Sequence, residues 1–276
     1  MLIAVPLIGV AGYSAYHHVQ MWRANRENVL SIYALRSGDF AKALSINQHA
    51  LSLTSGHHPE LIADFGREMI NAASLVNKDN RAAAGEAYTA AFNALRDAAA
   101  TSHDVFDSIT FAQLLLVGAE SRPEMYEQAA QVLTYARSLS PQRQQIIYLL
   151  ARIRLVQKKY DDAHALVQET IDAEPRVGEG YWLHALIWKE QGKGKEAYAN
   201  LKEAILKQYP WKSAEELAIA YQMSQGQGTP QERTTLAEMW AQATASGSAY
   251  AAYAEEVAGL GATDTARNIM QAAVQK

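Results

Sequence analysis

A 34-residue period governs the middle of this chain. Tyr126, Tyr160 and Gly194 fall 34 apart, as do Ala129, Ala163 and Ala197, and Leu133, Val167 and Leu201. Pro141 and Pro175 close two units at that interval, and Pro210 closes the third one residue late. Within residues 144–177, Ile147, Leu150, Ala151 and Leu155 recur at helical spacing, and Gln157–Lys159 makes a turn. A second helix follows through Tyr160, Ala163, Val167 and Thr170. Pro175 stops it, because proline cannot donate the next helical hydrogen bond and disfavours helix at the residue before it. One such hairpin cannot bury its apolar face alone, so a chain with this period must stack its hairpins into an array.

Small residues fixed in phase at this period resemble the tetratricopeptide repeat (TPR). The resemblance implies an all-α, TPR-like α-solenoid of stacked helical hairpins over residues 23–276. The clearest repeats are 110–143, 144–177 and 178–211. Degenerate ones lie at 24–57, with Gly38 in the bend before Phe40 and Ala43, and at 247–276, with Gly261 in the bend before Ala266. Between them, residues 60–76 and 81–100 read as a helix pair without the signature, with Asn80 as N-cap of the second. Near 213–240, Thr229 is expected to cap a helix with Pro230 at its first position.

The composition fits such an array: 276 residues, 49% hydrophobic, with a net charge of −4. No Lys/Arg run is present, which argues against nucleic acid as a partner. The absence of cysteine excludes disulfides and thiolate metal sites.

Residues 1–16 carry no charge, and Trp22, Arg23 and Arg26 follow. This pattern predicts a transmembrane helix, or its carboxyl-terminal part, over residues 1–22, with an interfacial aromatic and cationic anchor. No Lys or Arg precedes the run and no small-x-small site ends it, which argues against a cleaved signal peptide. By the positive-inside rule, Arg23, Arg26 and Arg36 would put the solenoid in the cytoplasm.

No catalytic motif emerges, and none of the residues is expected to be catalytic or to hold a cofactor or metal. The pairs His17-His18 and His57-His58 point to different sides of a helix and make poor chelates. His164 and His184 fall at ordinary repeat positions. Gly226-Gln-Gly228 lacks the Lys-Ser/Thr of a phosphate loop, and no strand precedes Gly178-Glu-Gly180 as a dinucleotide site requires. The expected function is therefore binding rather than catalysis. In a TPR solenoid the first helix of each unit lines a concave groove, and helical phase selects Tyr148, Arg152, Leu155, Glu179, Trp182, Leu186 and Lys189 as its lining. Aromatic residues with arginine are the composition of a binding hot spot for a protein partner.

A more specific resemblance rests on three segments: Met21-Trp-Arg-Ala-Asn25 running into Ala34-Leu-Arg-Ser-Gly-Asp-Phe40; Pro59–Asn71; and Ser140–Tyr148 with Glu174–Trp182. Together they resemble the carboxyl-terminal TPR region of bacterial O-antigen ligase/polymerase-like membrane proteins. That resemblance implies an accessory, extracytoplasmic part of a surface-glycan assembly system, partnered with a membrane-embedded glycan transferase. The catalytic membrane domain of that family is absent from this sequence, so no catalytic residue carries over. The alternative is a singly anchored, chaperone-like or secretion-associated TPR protein unrelated to glycans.

Overall fold

The computed structural model describes the backbone of residues 4–54, 58–244 and 246–274, and the side chains of residues 13–54, 58–244 and 246–273. The described residues form fourteen α-helices and one short 3-10 turn, divided into two compact units, Met1–Ile146 and Ile147–Lys276. His57, half of one expected pair, lies outside the described residues.

In the first unit, α1 (Ala4–Arg36) turns back through Ser37–Asp39 into α2 (Phe40–Leu53). Gly38 takes a left-handed φ of +77°, its N–H donates to the Leu35 carbonyl at 2.9 Å, and Asp39 N–H reaches the Ala34 carbonyl at 2.9 Å. Asp39 then caps α2 by accepting from Lys42 N–H. α3 (Pro59–Asn71) ends in a 3-10 turn (Ala72–Leu75) and pairs with α4 (Arg81–Thr101); α5 (Val105–Ala119) pairs with α6 (Glu124–Leu139). The helix expected over 60–76 therefore tightens after Asn71.

Asn80 does not cap α4 as expected, since its side chain makes no cap hydrogen bond. Its carboxamide instead donates to the Leu75 and Gly38 carbonyls at 3.0 and 3.3 Å, fastening the α3–α4 connection to the α1–α2 turn. Two further links join α1 to α3. Arg36 forks onto Glu68 at 2.7 and 3.2 Å, and Asn28 donates to Asp64 at 3.1 Å.

α1 crosses residue 22 without interruption. Residues 13–19 are exposed on all sides, and packing begins only with the half-buried Gln20 and Met21 and the buried Ala24. The expected membrane-spanning segment is not supported. Among the described residues no helix is long and apolar enough to cross a membrane, and Met1–Ile3 of the expected span lie outside them.

The second unit holds most of α7 (Gln144–Val156), then α8 (Tyr160–Ala173), α9 (Gly178–Glu190), α10 (Gly194–Leu206), α11 (Ala214–Ser224), α12 (Pro230–Thr244), α13 (Gly247–Gly259) and α14 (Thr263–Val274). Small residues sit where the helices meet: Ala151, Ala163, Ala185, Ala197 and Ala220 are all but fully buried. The turn seen at Gly38 recurs here. Lys158, Gly192 and Gly261 take φ of +59°, +72° and +88°, each between paired helices, whereas Gly226, left-handed at +76°, follows an extended Gln225 and makes a different turn. Lys159 N–H meets the Arg154 carbonyl at 2.8 Å, and Lys193 N–H meets that of Trp188 at 2.9 Å, matching the bond from Asp39 to Ala34. Thr229 and Glu232 form the expected start of α12 as a capping box. Thr229 Oγ1 accepts from Glu232 N–H at 3.3 Å, and the Glu232 carboxylate accepts from Thr229 N–H at 2.8 Å.

Candidate functional site

The first helices of the second unit bring together only part of what helical phase selects. Arg152 on α7 donates to Glu179 on α9 at 3.2 Å. Lys212, in the connection before α11, donates to both oxygens of the same carboxylate at 2.6 and 2.8 Å. Glu179 is largely covered, at 16% side-chain exposure, while Arg152 and Lys212 keep 41% and 50% and face solvent. One shielded carboxylate thus holds two solvent-facing cations drawn from separate elements.

Trp182 is not a groove residue. It is fully buried, stacked on Tyr209 at 5.8 Å between ring centres and edge-on to Trp211 at 5.2 Å. The residue sits one helical turn beyond Glu179, and the large indole fills the junction of α9 with the connection after α10. Tyr148, Leu155 and Leu186 are half-buried and pack against the core formed by α7, α8 and α9. Lys189 lies at 3.4 Å from its neighbour Glu190.

Glycine at Gly180 makes this packing possible. A Cβ there would meet Ile171 Cγ1 at 2.9 Å and Thr170 Oγ1 at 3.1 Å, so the Gly-Glu-Gly start of α9 serves close helix approach.

Sequence reasoning missed Lys212, Tyr209 and Glu216. The Tyr209 phenol donates to both Glu216 oxygens at 3.1 Å, and Lys212 N–H donates to one of them at 2.9 Å. Burial, then the charges of Glu179 and Glu216, push the Tyr209 phenol far above its ordinary range, so it stays a neutral donor. All three residues follow Leu206 outside a regular first helix or at its very start. Pro210, displaced by one residue from the period, is the sequence signal that this connection is unusual.

A second cluster lies where α8 meets α9. The His164 and His184 rings are 4.8 Å apart, and Trp188 lies 3.9 Å from His164 and 5.6 Å from His184. Lys193 Nζ sits 4.5 Å above the Trp188 ring. Burial, then the neighbouring His164, lowers His184 to about 4, and burial also lowers His164. Both imidazoles are therefore packed as neutral aromatic rings. Among the described residues no group of three or more His, Cys, Asp or Glu side chains could hold a metal ion.

Paired helices with left-handed turns at a fixed interval and alanine at each crossing are the TPR plan, and residues 123–187 match the tetratricopeptide repeat family model. The fold is that of a tetratricopeptide-repeat protein. Solved TPR structures agree. A tetratricopeptide repeat protein from Parabacteroides merdae superposes with a TM-score of 0.54 at 12% identity, over 92% of this chain and 93% of that one. The pilF protein of Pseudomonas aeruginosa gives 0.53 at 14%, over 87% and 99%. Yeast Tom70 gives 0.52 at 17%, over 86% of this chain and 55% of its own. No curated relative matches the sequence.

Proposed function

We propose that this chain is a non-catalytic scaffold that captures a segment of a protein partner along the first helices of its second unit. The observation that carries this reading is the meeting of Arg152 and Lys212 on the Glu179 carboxylate, one helical turn before buried Trp182. Solvent-facing cations held on a shared carboxylate beside a buried aromatic cluster have the composition of a binding hot spot. In this reading the start of α1 attaches the scaffold to a membrane. Its uncharged opening, exposed Tyr13, Tyr16, Val19 and Trp22, and following Arg23 and Arg26 suit insertion at a lipid interface. The resemblance to O-antigen ligase-like proteins favours an extracytoplasmic position beside a membrane-embedded glycan transferase.

The test is quantitative affinity purification of the full chain from its native membranes, wild type against a double Arg152→Ala, Lys212→Ala variant of unchanged helicity. A polytopic glycan transferase enriched by the wild type and depleted by the variant is the expected result. Enrichment of translocon components or varied unfolded clients would favour a secretion-associated scaffold. A partner held equally by both proteins would remove the site from the first helices.

A further inference from the structure

The second helices of the second unit carry a recess that this reading leaves unused. A cavity of about 570 Å³ opens between α10 and α12, floored by the buried Leu236 and walled by Tyr209, Trp211 and Met239. It exists because the connection after α10 is long. Residues 207–213 separate α10 from α11, against 174–177 between α8 and α9, and Gln208 takes a left-handed φ of +55° within that connection. At the mouth, Ile205 and Leu206 are 43% and 69% exposed, large apolar side chains with no covering element.

The polar groups around the cavity are already matched. Tyr198 donates to Glu232 at 2.7 Å, and Lys202 pairs with the same carboxylate at 3.3 Å, which closes one end of the recess. Lys207 lies at 3.9 Å from Glu203, and Thr235 donates to the Gln231 carbonyl at 3.0 Å. With each charge offset by an opposite one, the recess presents carbon surface and no unmatched charge. The volume is in the range of ordinary ligand pockets, and charge would be lost to desolvation there without a partner. Around the apolar mouth stand Gln208, an exposed amide able to bond a peptide backbone, and the Lys207–Glu203 pair. An apolar centre with a polar rim is the anatomy of a protein–protein contact.

We infer that this recess docks a segment of a protein partner that inserts uncharged apolar side chains, such as leucine, between α10 and α12. The inference rests on the reading of the chain as a peptide-binding scaffold, but it uses the second helices where that reading uses the first.

The experiment titrates short fluorescein-labelled amphipathic peptides onto the full chain. One peptide carries leucine at i, i+3 and i+4, and its match carries serine there. The expected result is saturable binding of the leucine peptide alone, weakened at least about tenfold by Leu206→Glu or Met239→Glu, the loss typical of a hot spot. Ala272→Glu, an exposed position on α14, which does not line the recess, should leave binding unchanged. Leu206 is so exposed that its variant should keep full helicity, which circular dichroism checks. Absence of saturable binding, or binding indifferent to Leu206→Glu, would overturn the inference. Preferential binding of dodecanoate, with displacement of the leucine peptide, would overturn it in favour of an acyl-chain site. Failure here with loss of native partner in the Arg152/Lys212 variant would remove the recess and leave the first-helix reading standing.

Discussion

Lys158 and Gly192 occupy the same left-handed position in successive repeat turns, at φ +59° and +72°. A side chain in this conformation brings Cβ against the following carbonyl, at a cost of roughly 1–2 kcal/mol, part of which glycine gives back through the entropy of the unfolded chain. Lys158→Gly should therefore raise stability by about 0.5–1 kcal/mol, read as a higher urea midpoint with an unchanged slope. A lower midpoint would mean that the Lys158 side chain contributes more than its backbone costs.

Glu179→Gln should act in the opposite direction. It removes the one carboxylate shared by Arg152 and Lys212 and leaves two cations facing each other. Because both cations are largely exposed, solvent screens the loss to about 1 kcal/mol. The effect should shrink as salt is raised, since added ions screen the repulsion. Urea melts at low and high ionic strength measure it, and a salt-independent loss would assign the role of Glu179 to packing.

The stacked histidines predict an acid-sensitive junction. His184 is lowered to about 4 in the folded chain, and His164 is lowered as well. Asp161 on α8 partly offsets that lowering, whereas Lys193 adds to it. A group with a depressed histidine pKa binds more protons unfolded than folded, so it costs nothing above the unfolded value near 6.5 and destabilises the fold increasingly as pH falls toward about 4. Urea midpoints should drop over that window, and His164→Gln with His184→Gln should flatten the drop. An equal drop in the double variant would place the acid response elsewhere.

Trp182→Ala should lose about 3–5 kcal/mol by opening a cavity against Tyr209 and Trp211. The same variant bears on how a tryptophan at this phase is read. If unfolding is unaffected while partner capture falls, Trp182 is a contact residue after all; the packing predicts loss of stability first.

These variants also mark what the sequence made legible. The period at Ala129, Ala163 and Ala197 reported small residues at helix crossings, and those crossings are where they lie. The left-handed residues at 158, 192 and 226 keep the same interval, yet Gly226 reads as a plain loop glycine beside Gly228 and Pro230. Backbone geometry agrees with that reading, because Gln225 before it is extended at ψ +126° and the turn differs from those at 158 and 192. Helical phase named Arg152 and Glu179 on successive first helices, and the two side chains pair at 3.2 Å. It failed at Trp182, where depth is set by the neighbouring connection and not by phase. Lys212 was invisible for the complementary reason: an irregular segment has no period from which to project its side chain. The apolar opening of α1 was legible as composition, but among the described residues no helix is long and apolar enough to cross a membrane.

The amide of Asn80 has a consequence for how the first unit comes apart. Repeat arrays, in which each hairpin touches only its neighbours, tend to fray from an end inward. Here Asn80 holds the Gly38 carbonyl, Arg36 holds Glu68 and Asn28 holds Asp64. The α1–α2 hairpin is thereby locked to the next at its turn and along its helix. Amide exchange in α2 and α3 should report a single opening event of shared free energy, with α1–α2 and α3–α4 behaving as one foldon.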